Sequence, residues 1–443
     1  MTRRELFALT LAAWPLRAKK KDAPVFLSLG EARPVLDDFA GELPGGLRGA
    51  VTEVSWREWE TAHDREIRAR LRQGDADSIV NLVLFGNSFT ARPRVTGTES
   101  EAEGKLILAR VHDFAQAVIH PGTNERLQFA AEWLGERDPK RISATLLENI
   151  LRVRKEQRAY AETIAEAKRK EDAAGLFVKR SSLYRERGLS LDTSFRPNFA
   201  IERSLAEMKA AGVLREVRRA AVIGPGLDFT DKRGGYDFYP VQTLQPFAVI
   251  DSLRRLRLAA ASGPAVEVFD LSERVLSHVR RVAGEARAGA PYTVQVPLDE
   301  GVRWLPATVA YWQGFGSEIG TQTAALDPPA GVGVRMRAVR IRPAAVELLH
   351  PAGLDIVTQH LPLTEERRFD LVIATNVLVY YSQFEQALGL RNVAGMLAKA
   401  GVLLSNNILP EVKGGEMLPV GGTSVAYSGD PDDGDHVIWY KHA

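Results

Sequence analysis

Cysteine is missing from all 443 residues, which removes disulfides, thiolate metal ligands and a cysteine nucleophile from consideration. Neither sign of charge dominates, with 58 Lys and Arg against 56 Asp and Glu and a net charge of +2. The chain as a whole therefore makes no electrostatic case for nucleic acid or an anionic membrane surface. No apolar run is long enough to cross a bilayer, and no repeat or low-complexity tract stands out. No metal-ligand spacing is found. What is present is ordinary soluble material: 45% hydrophobic and 26% charged residues, enough to bury real cores. The length suggests two or three domains.

The N-terminus departs from this pattern. Thr2-Arg3-Arg4-Glu5-Leu6-Phe7 reads like a bacterial twin-arginine export signal, and the modestly apolar run Leu6–Leu16 suits its hydrophobic region. Ala18 is a candidate end of a cleavage site, before Lys19-Lys20-Lys21. The competing reading is a short amphipathic helix with a charged end. Residues 1–22 are thus a candidate signal segment, which implies an exported or periplasmic protein; without it the expectation is cytoplasmic.

Residues 23–190 read as a helical domain. Trp56–Arg72, Asp77–Leu84, Gly104–Val118 and Arg126–Leu134 are helix candidates. In Arg141–Asp172, Ile142, Leu146, Ile150, Val153, Tyr160 and Ile164 fall on one stripe, with Gly175 as a C-terminal stop. The stripe reads as core packing, and the charges opposite as a solvated face. His63-Asp64 and His112-Asp113 lack further ligands at metal spacing, so each His is expected at the surface or in a cap. Residues 191–215, with a helix over Phe199–Ala211, bridge to the second half.

That second half, residues 216–443, is organised around Ala220-Ala221-Val222-Ile223-Gly224-Pro225-Gly226-Leu227-Asp228-Phe229. A short apolar run breaking at Gly-Pro-Gly predicts a buried parallel strand entering a tight turn, where backbone without Cβ atoms can approach a ligand. Downstream, Val266–Asp270 is a strand ending on an acid, with Leu271 next and Ser272 as N-cap of a helix over Glu273–Val282. An acid in that position hydrogen-bonds ribose hydroxyls in nucleotide-type folds. Then Phe369–Tyr381 (FDLVIATNVLVYY) predicts a strand and an Asn-bearing turn. A helix to about Lys399, Gly401 and the strand Val402–Asn407 complete an α/β unit.

Together these segments resemble the class I S-adenosylmethionine-dependent methyltransferases over roughly Val217–Ala443. Phe369–Tyr381 is most similar to the chemotaxis-receptor branch, with Thr375 where that branch carries Arg. The resemblance implies an α/β fold: a Rossmann-like, doubly wound sheet with a C-terminal antiparallel pair, here Thr423–Tyr427 and Val437–Tyr440, after a mostly α-helical N-terminal domain. It implies S-adenosylmethionine as cofactor, held by Gly224, Pro225, Gly226, Asp228, Asp270, Leu271, Gln359, His360, Thr375 and Asn376. Asn376 and Tyr380 become the catalytic candidates. The acceptor would be an oxygen or nitrogen of a small molecule or protein side chain, with no nucleic acid partner expected.

Asp228 occupies the place of a common third glycine, and Val222 that of an acid that often opens the motif. Insertions are expected at about 229–242 and 297–333. The first, aromatic and Gly-rich, reads as a lid or a packed loop before a helix over Val241–Leu258. The second, with Trp304, Tyr311, Trp312 and Phe315, reads as a substrate pocket or a packed subdomain. Val334–Ile341 and Asp355–Gln359 are predicted strands, flanking a helix over Pro343–Leu349. Two rivals remain: a nicotinamide-dependent oxidoreductase, whose usual third glycine is Asp228 here, and a non-catalytic binding or scaffold protein retaining the fold.

Overall fold

A computed structural model describes residues 23–97, 100–170, 187–231, 236–261, 263–299, 304–330, 332–430 and 433–443. The candidate signal segment 1–22 and the Gly175 stop lie outside them. The helical half comprises a short strand, β1 (Val25–Phe26), and helices α1 (Leu29–Asp38), α2 (Glu53–Phe85), α3 (Glu101–Ile119), α4 (Glu125–Leu134) and α5 (Pro139–Lys170). Then α6 (Pro197–Ala210) leads to strand β2 (Arg219–Ile223), α7 (Gln245–Arg255), β3 (Ala265–Asp270) and α8 (Glu273–Arg287). Next come β4 (Tyr292–Asp299), α9 (Pro306–Gly314), β5 (Gly320–Thr323), β6 (Arg335–Ile341), α10 (Pro343–Val346) and β7 (Leu349–Gly353). The chain closes with β8 (Gln359–His360), β9 (Phe369–Ala374), α11 (Gln383–Met396), β10 (Leu397–Ser405), β11 (Met417–Ala426) and β12 (Gly434–His442).

The main sheet has seven strands in the order β11-β12-β10-β9-β2-β3-β7. From β10 to β7 all pairings are parallel, whereas β12 lies antiparallel to both β10 and β11. Consecutive residues on the central strands divide between two cores, as the period of two requires. Ala220, Val222, Leu371 and Ile373 face one core with α6, α7 and α8. Ala221, Ile223, Val372 and Ala374 face the other with α1, the start of α2, and α11. Helices on both faces make this a doubly wound α/β sheet.

Helix α2 joins two cores. Thr52 and Ser55 cap its start reciprocally, and Trp56 Nε1 donates to Leu27 O at 3.0 Å. Its first turns cover the sheet through Trp56, Trp59 and Ile67. Its last turns, Ile79–Leu84, pack with α3, α4 and α5. The two helices expected over Trp56–Arg72 and Asp77–Leu84 are therefore one. Gly74, between them, does not break the helix but lets another segment cross: a Cβ there would lie 2.0 Å from Leu189 O. On α5, the buried residues Ile142, Leu146, Ile150 and Val153 form the expected stripe.

Other boundaries shift for local reasons. The third parallel strand is β7, not Asp355–Gln359. Its Leu-His-Pro-Ala-Gly sequence hides a strand, yet Pro351 is tolerated because β7 is a sheet edge. Gln359–His360 instead pairs with Val25–Phe26, away from the main sheet. Helix α10 is correspondingly shorter than the expected Pro343–Leu349. The helix over Val241–Leu258 contracts to α7, with Pro246 in its first turn. Helix α11 stops at Met396, and β10 begins at Leu397 with an irregularity before Val402. The second insertion contributes to a three-stranded antiparallel sheet, β4-β6-β5. Trp304, Tyr311, Trp312 and Phe315 are buried in the first sheet core, so the aromatic cluster is packing. Among the described residues, no helix is long and apolar enough to cross a membrane.

Candidate functional site

The central strands run parallel, so their carboxyl ends emerge together, and the strand order reverses between β2 and β9. A crevice at such a switch point is where open α/β sheets take ligands. A cavity of about 380 Å³ lies there, lined by the ends of β2, β3, β9 and β10. Its outer wall is the segment Leu189–Ser194 with Leu71 of α2.

Two glycines shape the turn after β2. Gly224 and Gly226 have φ of 64° and 63°, the left-handed region. A Cβ on Gly226 would lie 2.8 Å from Leu191 O and 2.9 Å from Thr193 Cβ. The wall segment rests directly on this turn, with Leu227 N donating to Leu191 O at 2.8 Å and Thr193 N to Leu227 O at 3.0 Å. We predict that Gly226→Ala displaces 189–194. It should lower the thermal midpoint by an amount corresponding to about 1–3 kcal/mol and raise protease sensitivity near Leu189. An unchanged midpoint and digestion pattern would refute it.

Asp270 ends β3 and lines the cavity, its Oδ1 accepting from Ser272 N at 2.7 Å. Burial pushes its carboxyl up to about 6, opposed by backbone N–H groups of Ser272, Gly226 and Leu271. Those donors fix its orientation. Thr375 is buried beyond β9, its Oγ1 accepting from Gln245 Nε2 at 2.9 Å. Asn376 follows with φ of 59°, strained for a residue other than glycine. It is held by Asn406: its N donates to Asn406 Oδ1 at 2.8 Å and its Oδ1 accepts from Asn406 Nδ2 at 2.5 Å. Tyr380 lines the cavity, its carbonyl accepting from Arg70 Nη2 at 2.8 Å, so α2 braces this loop.

Gly224, Gly226, Asp270, Leu271, Thr375, Asn376 and Tyr380 share this cavity, whereas Pro225, Asp228, Gln359 and His360 do not line it. The Asp228 carboxylate is buried and accepts from Gln242 Nε2 at 2.9 Å. Gln359 Oε1 accepts from Asp355 N, and His360 Nε2 lies 3.6 Å from Glu31. The cavity also holds residues the sequence did not single out: Asp192, Asp231, Asn406, Asn407 and Arg196. Arg196 is buried, ion-paired with Asp433 and set over the rings of Trp304 and Tyr427. Asn406-Asn407, two amides ending a strand, was a readable signal; Arg196 and the wall segment had none.

His63 is neither exposed nor a cap. It is 4% exposed, with Nε2 2.9 Å from Asp355 Oδ2 and Nδ1 3.3 Å from Glu385 Oε1. Both nitrogens therefore donate, which is the imidazolium form. Burial opposes that charge, but the two carboxylates outweigh it and raise His63 to about 9. Glu385 also caps α11, its Oε2 accepting from Ser382 N at 2.7 Å, and is lowered to about 2 despite its burial. Among the described residues, no group of three or more His, Asp or Glu side chains is arranged to hold a metal ion.

No family model matches the sequence, and no curated protein matches it. Solved structures do. The N-methyltransferase NodS from Bradyrhizobium japonicum WM9, with S-adenosylhomocysteine, is 11% identical over 60% of this chain and 98% of its own, with a TM-score of 0.26. Magnesium protoporphyrin IX methyltransferase (ChlM) from Synechocystis PCC 6803, with S-adenosylmethionine, is 10% identical over 61% and 93%, at 0.27. A mutant of MtNAS with S-adenosylmethionine is 12% identical over 83% and 98%, at 0.27. Likenesses of this size assign no activity to this chain, and the functional reading rests on its own topology and side chains.

Proposed function

We propose that the protein is an S-adenosylmethionine-dependent methyltransferase acting on an oxygen or nitrogen acceptor. One observation carries the reading: the cavity at the β2/β9 switch point combines a glycine turn and a strand-end carboxylate with an antiparallel final strand beside β10. A nicotinamide-dependent dehydrogenase shares the first two features but gives no reason for the third.

The residues fit the cofactor. A Cβ on Gly224 would lie 2.7 Å from Val377 Cγ2, so glycine lets the turn after β2 sit directly against the segment that follows Asn376, with both lining the cavity. Asp270, fixed by backbone donors, would accept hydrogen bonds from ribose hydroxyls. A cavity of about 380 Å³ falls within the range of about 300–1,000 Å³ usual for small-molecule sites. When bound, the cofactor supplies a methyl group activated by a sulfonium. The protein's task is then chiefly orientation and exclusion of water. Asn376 and Thr375 would border the transferring group, Tyr380 would flank it, and Asp192 or Asp231 would take a proton from the acceptor.

The chemotaxis-receptor variant of this reading is not favoured. Arg196 is the one cation among the described lining residues and is bonded to Asp433, and Thr375 stands where that branch has Arg. We read residues 23–190 as a domain that walls the cofactor side through α2, and residues 1–22 as an export signal.

Calorimetric titration of S-adenosylmethionine into the full chain, with NAD as control, tests the proposal. Micromolar binding of the first without the second is the expected outcome. No heat with S-adenosylmethionine would favour the scaffold reading, and NAD binding would favour a dehydrogenase.

A further inference from the structure

A second cavity, of about 440 Å³, lies between the first turns of α2, the loop before that helix and the start of α11. Trp59 and Phe384 give it an aromatic wall. Trp59 is only 8% exposed, its ring packed by Trp56, His63 and Phe384 at centroid distances of 4.9, 5.4 and 5.6 Å. That packing leaves one polar group unserved. The Trp59 indole N–H has no hydrogen-bond partner among the described residues, yet it is not sealed from solvent as those of Trp304, Trp312 and Trp439 are. A buried Trp that lines a cavity with its donor free and accessible calls for an acceptor there.

Around this donor the free charge is of one sign. Glu42, Glu58 and Glu66 line the cavity, are exposed, and have no side-chain partner among the described residues. The one cation in the lining, His63, is spent on Asp355 and Glu385. No three of these side chains are arranged to hold a metal ion. Glu58 and Glu66 stand eight positions apart on α2, about 12 Å along its axis, so an elongated cation fits where a point charge does not. We propose that this cavity docks a basic peptide segment of a partner protein, with two Lys or Arg residues set three positions apart. Three extended residues span about 10 Å, which brings the two cations to Glu58 and Glu66. A peptide carbonyl accepts from the Trp59 N–H, and the methylene stems lie on Trp59 and Phe384. The docked partner rests against the segment Tyr380–Glu385, whose first two residues line the switch-point cavity and whose Ser382, Phe384 and Glu385 line this one.

The test is a ligand-observed NMR titration of acetyl-Lys-Ala-Ala-Lys-amide into the full chain at low salt. The controls are acetyl-Glu-Ala-Ala-Glu-amide and 1,8-diaminooctane, which carries the same two positive charges without a carbonyl. The lysine peptide is expected to bind, the acidic peptide not to, and the diamine to bind about fivefold more weakly, the usual worth of one hydrogen bond. Replacing Glu58 and Glu66 together by Gln should weaken the lysine peptide by about fivefold, two exposed ion pairs being lost. Trp59→Phe, which keeps a packed ring but removes the N–H, should bring the peptide down to the diamine. No binding of the lysine peptide, equal binding of the diamine or the acidic peptide, or indifference to the Gln substitutions would overturn the proposal. If Trp59→Phe does not fold, the diamine comparison and the surface Gln variant decide. None of these outcomes depends on whether the first cavity takes S-adenosylmethionine.

Discussion

Asp270→Ala should abolish S-adenosylmethionine binding, weakening it by about a hundredfold or more. Removing a buried, hydrogen-bonded charge partner at a binding interface costs about 2–5 kcal/mol, or roughly 30- to several-thousand-fold. Calorimetry on the variant measures this directly, and a loss below about fivefold would remove Asp270 from the site. The pH dependence has a defined sign. Burial raises the Asp270 carboxyl to about 6, and hydroxyl donors of a ligand favour its ionised form. Affinity should be level above pH 6 and fall by about tenfold per unit below it. An acid raised in the folded state also subtracts stability as pH climbs from its unfolded value through about 6. Asp270→Asn should therefore stabilise the ligand-free protein at pH 7 while still losing the ligand, a divergence typical of a functional residue.

Replacing His63 by Ala should be the most destabilising single change outside the hydrophobic cores. It leaves the Asp355 and Glu385 carboxylates buried without their cation, at a cost of about 3–5 kcal/mol. The His63 contribution is fully present below its unfolded pKa of 6.5 and is lost as pH rises through about 9. Glu385 behaves oppositely, its contribution present above 4.5 and lost as pH falls towards 2. The penalty of His63→Ala should thus be greatest between about pH 4.5 and 6.5 and shrink by pH 9.5. Denaturant midpoints of both proteins at pH 6 and pH 9.5 check this; an equal gap at the two pH values would show that His63 acts by packing alone. The effect should reach the cavity, because two turns further along α2 Arg70 holds the Tyr380 carbonyl.

Much of the sheet was legible because buried parallel strands must be apolar on both faces. Ala220–Ile223, Val266–Phe269 and Phe369–Ala374 carry that signal, and each stops at a residue suited to a turn. The glycines at 224 and 226, the acid at 270 and the Asn at 376 were readable as strand-end residues, and they share one cavity. Gln359 and His360 were misplaced because the true third strand, Leu349–Gly353, is an edge holding a proline and a glycine. Such a strand carries little hydrophobic pattern. The Trp304–Phe315 cluster shows the reverse, since aromatic residues signal burial without telling pocket from core.

Local chemistry, then, was enough to determine the strand–turn–helix units, the amphipathic stripe of α5 and the glycine turn, because each depends on neighbours within a few residues. Tertiary structure alone decided the pairings between distant residues. His63 meets Asp355 across 292 positions, Asn376 meets Asn406 across 30, and Asn81 meets Asp192 across 111. No periodicity encodes such meetings. They exist because α2 spans two cores and because neighbouring parallel strands bring their carboxyl ends to the same rim.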